Sequence, residues 1–146
     1  LTDHRRVLPL EKKGELVAAH PDFQIVISYN PGYQSLMKDL KQSTKQRFGA
    51  LDFNYPSPEI ETEILAHEAG IDPAIADKLV QVAQRSRNLK GHGLDEGMST
   101  RLLVYAGQLI RQGIEPQAAC QMALVRPLTD DPDMRDTLDA AVTTYF

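Results

Sequence analysis

The stretch SPEIETEILAHEAGIDP, residues 57–73, contains two helix starts with a helix stop between them. Ser57 before a proline is a typical N-cap, and Gly70 is a typical helix end. Asp72 before a second proline repeats the start signal. From here onward apolar residues recur at the helical period of about 3.6. The stretch therefore predicts consecutive helices and a change of architecture near Pro56.

Three further helices are predicted downstream of this stretch. One spans about residues 99–112, a short one opens at Glu115 and ends at Pro127, and one opens at residues 131–133. Each carries an apolar face at helical spacing. We therefore expect residues 57–146 to form an all-α bundle.

The sequence upstream predicts short extended segments instead. Residues 6–10 and 16–19 flank EKKGE and are typical of a β-hairpin. Residues 23–28 form an apolar run, and residues 50–55 alternate between apolar and polar residues. Both runs are followed by a proline-containing turn, so both resemble sheet strands. Between them we expect a loop with one or two helical turns. Residues 1–56 are thus predicted to be part of an α/β domain.

Composition restricts the class of protein. With 42% hydrophobic and 25% charged residues the chain is typical of a soluble globular protein. Its net charge of -4 and pI near 5.5 argue against a nucleic-acid binder. No apolar run approaches the roughly 20 residues that span a bilayer, so we expect no membrane span and a cytoplasmic location. The chain starts at Leu1 rather than Met, which suggests a fragment.

Three polar residues are candidates for chemistry, and each also has a simpler interpretation. Asn30 follows a predicted strand, where it could face a ligand or only form a turn. Arg47 lies before Phe48 in a basic loop and could reach a phosphate or be solvated. Arg101 lies in the first turn of a predicted helix, where the macrodipole disfavours cations, and it could equally be an exposed arginine.

The other titratable residues give no comparable signal. Cys120, the only cysteine, has apolar neighbours at helical spacing and is expected to be a buried thiol. The acidic residues at helix starts are expected to act as caps or to complement the dipole. The histidines show no metal-site spacing, and we expect surface or capping positions for His4, His20, His67 and His92.

Taken together, the hairpin and the motifs SYNPG, STKQRF and GMSTRLLVYAG resemble the C-terminal part of MoxR-branch AAA+ ATPases of the CbbQ/NirQ/NorQ family. The resemblance implies the distal strands of a P-loop NTPase core sheet with a β-hairpin insertion, followed by an all-α helical lid. It implies that Asn30 is sensor 1, that Arg47 is the arginine finger acting on a neighbouring subunit, and that Arg101 is sensor 2.

The resemblance also implies cofactors and partners. ATP and Mg²⁺ would be bound mainly by a phosphate loop and an acidic strand that this chain lacks, so the chain alone should be nearly inactive. A homo-hexamer, a partner with a von Willebrand factor A domain, and a target enzyme are expected. The target would be Rubisco or, alternatively, nitric oxide reductase.

Two other classes of function remain open from the residues alone. The helices could form a non-enzymatic interaction module, for which the strands are only a platform. A DNA-binding regulator is disfavoured by the acidic charge balance. A GK[ST] phosphate loop upstream in the same reading frame would favour the ATPase over the interaction module.

Overall fold

A computed structural model of the chain describes residues 3–28 and 42–146. The chain divides into two compact units, Leu1–Asp52 and Phe53–Phe146. The division lies slightly before the change of architecture expected near Pro56. The functional assignment of residues 1–56 and 57–146 to a core and a lid stays a prediction.

The first unit contains an antiparallel hairpin in which β1 (Val7–Leu10) pairs with β2 (Glu15–Ala18). Val7 lies opposite Ala18 in the register. Gly14 has a φ of 66° in the turn, a conformation that glycine adopts without the steric cost of a Cβ. The predicted hairpin is confirmed.

The side chain of Arg6, at the start of the hairpin, forms hydrogen bonds with the segment that follows β2. Its Nη2 donates hydrogen bonds to the carbonyl oxygens of His20, Pro21 and Phe23 at 3.0, 3.1 and 2.9 Å. Its backbone has a φ of 53°, which is costly for a residue with a Cβ. Backbone hydrogen bonds hold Arg6 in this conformation, because its N–H donates to the carbonyl of Asp3 at 3.1 Å and its carbonyl accepts from the N–H of Ala19 at 2.8 Å.

The two predicted sheet strands are not strands in the structure. Residues 23–28 and 50–55 have no regular secondary structure, and the sheet of the described residues consists of β1 and β2 only. A strand requires a hydrogen-bonded neighbour, and no described segment pairs with either run. Their apolar side chains are accordingly exposed, as with Val26 at 88% and Phe53 at 90%. In the described part of the predicted loop, α1 (Gln42–Lys45) is one helical turn, as predicted, and residues 29–41 lie outside the described residues.

The second unit is helical, as predicted. Four side chains accept hydrogen bonds from first-turn N–H groups, and these caps are Ser57, Asp72, Glu115 and Asp131. The helices are α2 (Pro58–Ala69), α3 (Pro73–Asn88), α4 (Thr100–Arg111), α5 (Pro116–Cys120), which continues into a π-helical turn at Gln121–Val125, and α6 (Pro132–Tyr145).

Helix α3 lies at the centre of this unit, where it packs against α2, α4 and α6. It buries six side chains, including Leu79 and Val82. Leu65 of α2, Leu103 of α4 and Leu138 of α6 are also buried in the same apolar cluster. Burial of this apolar surface is the main stabilising term for the unit.

Candidate functional site at the start of helix α4

The three predicted site residues are distributed over different parts of the chain. Asn30 lies outside the described residues. Arg47 belongs to the first unit and Arg101 belongs to the second. The geometry of the two arginines is therefore described separately.

Arg47 lies in the turn that follows α1, and its side chain is exposed. Its N–H donates to the carbonyl of Thr44 at 3.1 Å. The next residue, Phe48, is half-buried and donates its N–H to the carbonyl of Lys45 at 3.1 Å. The backbone of Arg47 is thus held on both sides of its Cα, while the guanidinium faces solvent.

Arg101 is the second residue of α4, in the first turn as the sequence predicts, and its side chain is exposed. Ser99 occupies the N-cap position but makes no side-chain capping bond. Within the described part of the chain, no hydrogen bond or ion pair engages the Arg101 guanidinium. The start of α4 therefore combines an available guanidinium with first-turn N–H groups that no capping side chain covers.

The start of α4 is attached to a buried ion pair. Glu61 of α2 is fully buried, and Arg87 of α3 binds its carboxylate with two bonds of 2.7 Å, from Nη1 to Oε2 and from Nη2 to Oε1. Thr100, the first residue of α4, donates its hydroxyl to the same Oε1 at 2.6 Å. One carboxylate therefore connects three helices.

Arg87 also holds the segment that precedes α4. Its Nε donates to the carbonyl of Met98 at 2.9 Å. The hydroxyl of Ser86 accepts from the N–H of Met98 at 3.0 Å, so the peptide groups on both sides of Met98 are bound by α3. The ring of Tyr55 covers the outer face of the guanidinium, with 3.7 Å between the Arg87 Cζ and the ring centroid.

Glycine is required at position 97 by this arrangement. A Cβ there would lie 2.6 Å from Cγ and 2.8 Å from Cα of Arg87. The segment before α4 is therefore in direct contact with the α3 backbone, at a separation that any larger residue would prevent.

The sequence interpretation of Glu61 was incomplete, because it missed the burial of this residue. It lies in the first turn of α2, where an acidic residue was expected to complement the dipole, but it is also buried and ion-paired with Arg87, which was not expected. A signal was present in the spacing, because Glu61, Leu65 and Ala69 recur every four residues and all three are buried. Arg87 and Tyr55 gave no comparable signal.

Glu59, two residues earlier, does behave as a surface residue of the helix start. It is exposed, and hydrogen bonds from its own backbone N–H and then from the Ser57 hydroxyl lower the pKa of its carboxyl group. Both acidic residues lie in the first turn of α2 as expected, and only Glu61 is also buried in an ion pair.

The remaining titratable groups resemble structural or surface residues. Cys120 is fully buried, and burial, with a smaller contribution from the charge of Glu115, raises the pKa of its thiol to about 12. Across residues 3–28 and 42–146, no three His, Cys, Asp or Glu side chains are arranged to hold a metal ion. No helix in those ranges is long and apolar enough to cross a membrane. The four histidines are exposed.

Comparison with known proteins identifies the family. A family model described as CbbQ/NirQ/NorQ C-terminal matches residues 61–145. This match begins within α2, at Glu61, and covers the rest of α2 and all of α3 through α6, so it includes Arg87 and Arg101.

Curated relatives extend the match over the whole chain. Protein CbbQ of Hydrogenophilus thermoluteolus is 73% identical over 100% of this chain, which covers 55% of that protein. Protein NorQ of Paracoccus denitrificans is 49% identical over 100% of this chain and 54% of its own length. The denitrification regulatory protein NirQ of Pseudomonas aeruginosa is 52% identical over 90% of this chain and 51% of its own length.

The chain spans about half the length of the curated relatives that it matches. The family model nevertheless covers more than half of the chain, and the identities are far above those expected by chance. On this evidence the chain belongs to the CbbQ/NirQ/NorQ family.

Proposed function

We propose that the full-length protein containing this chain is an ATP-hydrolysing AAA+ motor of the MoxR branch that activates a target enzyme. Membership of the CbbQ/NirQ/NorQ family supports this assignment. The observation that carries it is the position of Arg101, an exposed arginine in the first turn of α4. In this proposal the helical unit is the lid, and the first unit is the distal part of the ATPase core.

A nucleotide would explain the position of Arg101. A cation near a helix N-terminus is disfavoured by the macrodipole unless an anion lies close by. A polyphosphate is such an anion, and the planar fork of arginine matches phosphate oxygens with two hydrogen bonds. The uncapped start of α4 leaves additional N–H donors for the same anion. We therefore assign Arg101 as the sensor 2 residue, which binds the nucleotide of its own subunit.

Two further residues would act on the γ-phosphate. Arg47 would be the arginine finger for ATP bound by the neighbouring subunit, which agrees with its exposed side chain on a fixed backbone. Asn30 would orient the attacking water. Because phosphoryl transfer depends mainly on positioning and charge stabilisation, these residues need no covalent role. A finger that acts in trans requires a ring, for which we propose a homo-hexamer.

ATP and Mg²⁺ would be held mainly elsewhere in the full-length protein. The described residues fit a phosphate contact at Arg101, but they include no cluster suited to a metal ion. The ligands of Mg²⁺ would therefore lie outside the described part of the chain. When bound, Mg²⁺ would neutralise charge on the phosphate oxygens.

We propose Rubisco as the target and a protein with a von Willebrand factor A domain as the partner, in the cytoplasm. The chain is 73% identical to the CbbQ relative, against 49% for NorQ and 52% for NirQ. This difference favours the CbbQ branch of the family, which we associate with Rubisco. Nitric oxide reductase is the second candidate target.

Steady-state ATP hydrolysis by the full-length protein tests the ATPase assignment. Replacing Arg101 by Ala removes a charge-assisted contact to phosphate, so we expect KM for ATP to rise about tenfold or more. Arg101→Lys keeps the charge but loses the two-pronged guanidinium, so its KM should lie between those of the wild type and Arg101→Ala. Arg126→Ala removes another exposed arginine of the same unit and should have no effect.

The same proteins can then be offered each target. Wild type with ATP and the partner should restore carboxylase activity to inhibitor-bound Rubisco, and Arg101→Ala should do so poorly. Activation of nitric oxide reductase alone would select the second candidate. Absence of any ATP turnover in the wild type would instead favour an interaction module and reject the proposal.

A further inference from the structure

We propose that Arg87 is a positioning residue for Arg101, and that it acts through Glu61, Thr100 and Tyr55. This inference rests on the proposed function, because it assigns a role to residues that would not themselves contact the nucleotide. The four side chains form a group that we call the α4 anchor. Its role is to fix the start of α4, and with it the point from which Arg101 reaches a phosphate.

The anchor binds the chain on both sides of the α4 N-cap. On one side, the Arg87 Nε donates to the carbonyl of Met98 at 2.9 Å. On the other side, the Thr100 hydroxyl donates to Glu61 at 2.6 Å, and Glu61 is itself bound twice by Arg87. Arg101 is the next residue after Thr100, so the backbone that carries it is attached to α2 and α3 at once.

The geometry of the anchor leaves little freedom. The side chain of Glu61 is 0% exposed and that of Arg87 is 12% exposed. Arg87 binds the Glu61 carboxylate through two parallel hydrogen bonds. This arrangement fixes the relative orientation of the guanidinium and carboxylate planes as well as the distance between them. Each Glu61 oxygen is occupied, since Oε1 accepts from Arg87 and Thr100 and Oε2 accepts from Arg87.

Tyr55 extends the anchor to the segment that enters the helical unit. Its ring stacks on the Arg87 guanidinium, and its hydroxyl lies 3.4 Å from the carbonyl of Gly97. Tyr55 is 45% exposed, so apolar burial alone gives a weak reason for its position. A cation–π contact on the open face of the guanidinium gives a stronger one.

Stability alone does not account for such a group. A buried ion pair is often no more stabilising than apolar residues of similar volume, because desolvation of the charges offsets their attraction. What the pair adds is a defined geometry at one point. At the start of α4 that point adjoins Arg101, whose contact with a phosphate would depend on its position. A displacement of about 1 Å in such a contact lowers reaction rates strongly.

Thr100→Val in the full-length protein tests the inference, because it removes the hydroxyl donor and keeps the side-chain shape. We expect KM for ATP to rise about five- to tenfold, while thermal unfolding followed by circular dichroism stays cooperative and starts well above the assay temperature. Thr100→Ser restores the hydroxyl and should restore KM. Tyr55→Leu, at a partly exposed position, should also raise KM, whereas Tyr55→Phe keeps the ring and should remain close to wild type.

A double-mutant cycle with Arg101→Ala separates positioning from general structure. If Thr100 acts through Arg101, Thr100→Val should change KM less than about twofold once Arg101 is alanine. An equal change in both backgrounds overturns the inference, and so does a wild-type KM in Thr100→Val.

The cycle also distinguishes failure of the inference from failure of the proposed function. A raised KM in Arg101→Ala together with a wild-type KM in Thr100→Val overturns the inference alone. A wild-type KM in Arg101→Ala overturns the sensor assignment and the inference with it. Glu61→Gln and Arg87→Lys can then show whether the ion pair is needed, provided that their unfolding curves remain cooperative.

Discussion

At the scale of single residues, Cys120 gives a direct test of the packing of the helical unit. Its thiol is fully buried, and its pKa is raised from the ordinary 9.0 to about 12. The thiolate is the reactive form, so native Cys120 should not react with an aromatic disulfide reagent at pH 8. One additional thiol should become reactive in denaturant. The measurement is the absorbance of the released thiolate, with Cys120→Ser as the blank.

The same shift predicts the sign of a pH effect on stability. The folded state keeps the neutral thiol while the unfolded state ionises near pH 9, so the unfolded state binds fewer protons above that pH. The contribution of Cys120 is therefore complete below pH 9 and is lost as the pH rises towards about 12. Rapid reaction of Cys120 in the native protein at pH 8 would contradict both the predicted inertness of the thiol and the predicted loss of stability at high pH.

At the scale of elements, Gly107 sets the distance between α4 and the end of α2. A Cβ at this position would lie 2.7 Å from Cβ of Ala69 and 3.0 Å from Cδ1 of Ile71. Gly107→Ala should gain helix propensity but lose more through overpacking, so we expect a loss of about 1–3 kcal/mol in the free energy of unfolding. Urea denaturation followed by circular dichroism measures this loss.

A second substitution provides the control for this steric explanation. Ala69→Gly removes the nearest obstructing atom, so the double variant Ala69→Gly/Gly107→Ala should lose less stability than the two single changes added together. Gln108→Ala, at an exposed position of the same helix, should change stability little. If Gly107→Ala is as stable as wild type, the close approach of the two helices does not limit packing.

The elements also show what could be predicted from the sequence. The starts of α2 and α3 were predictable because Ser57 and Asp72 are local caps followed by proline, and a cap acts within three residues. The structure of residues 23–28 was not predictable in the same way, because a strand depends on a hydrogen-bonded neighbour that the sequence of the run does not specify. The ion pair of Glu61 was not predicted because its partner Arg87 is distant in sequence, and only the packing of α2 against α3 brings the two charges together.

At the scale of the whole molecule, the proposed nucleotide contacts are divided between the two units. Arg47 belongs to the first unit and Arg101 to the second. The motifs around both arginines were recognisable from the sequence, but the roles that we propose for them depend on a nucleotide and on a neighbouring subunit, which the sequence of this chain does not supply. A test at this scale must therefore use the assembled full-length protein.

Arg47→Ala should separate hydrolysis from binding in that assembly. An arginine finger stabilises the transition state for hydrolysis of ATP that the neighbouring subunit binds. Turnover should therefore fall about 10³-fold or more, while ATP affinity stays nearly unchanged. Lys45→Ala removes a cation two residues earlier, at the end of α1, and serves as the control that should leave turnover unchanged. Turnover and the equilibrium binding of a fluorescent ATP analogue measure the two effects.

Mixing two inactive proteins decides whether Arg47 acts in trans. A subunit with a disabled phosphate loop keeps Arg47 but holds no ATP, whereas the Arg47→Ala subunit holds ATP but lacks the arginine. In mixed rings the first can supply Arg47 to ATP held by the second, so some hydrolysis should return, and it should be greatest at intermediate mixing ratios. Activity that stays at the level of the separate proteins at every ratio would mean that Arg47 does not serve a neighbouring subunit.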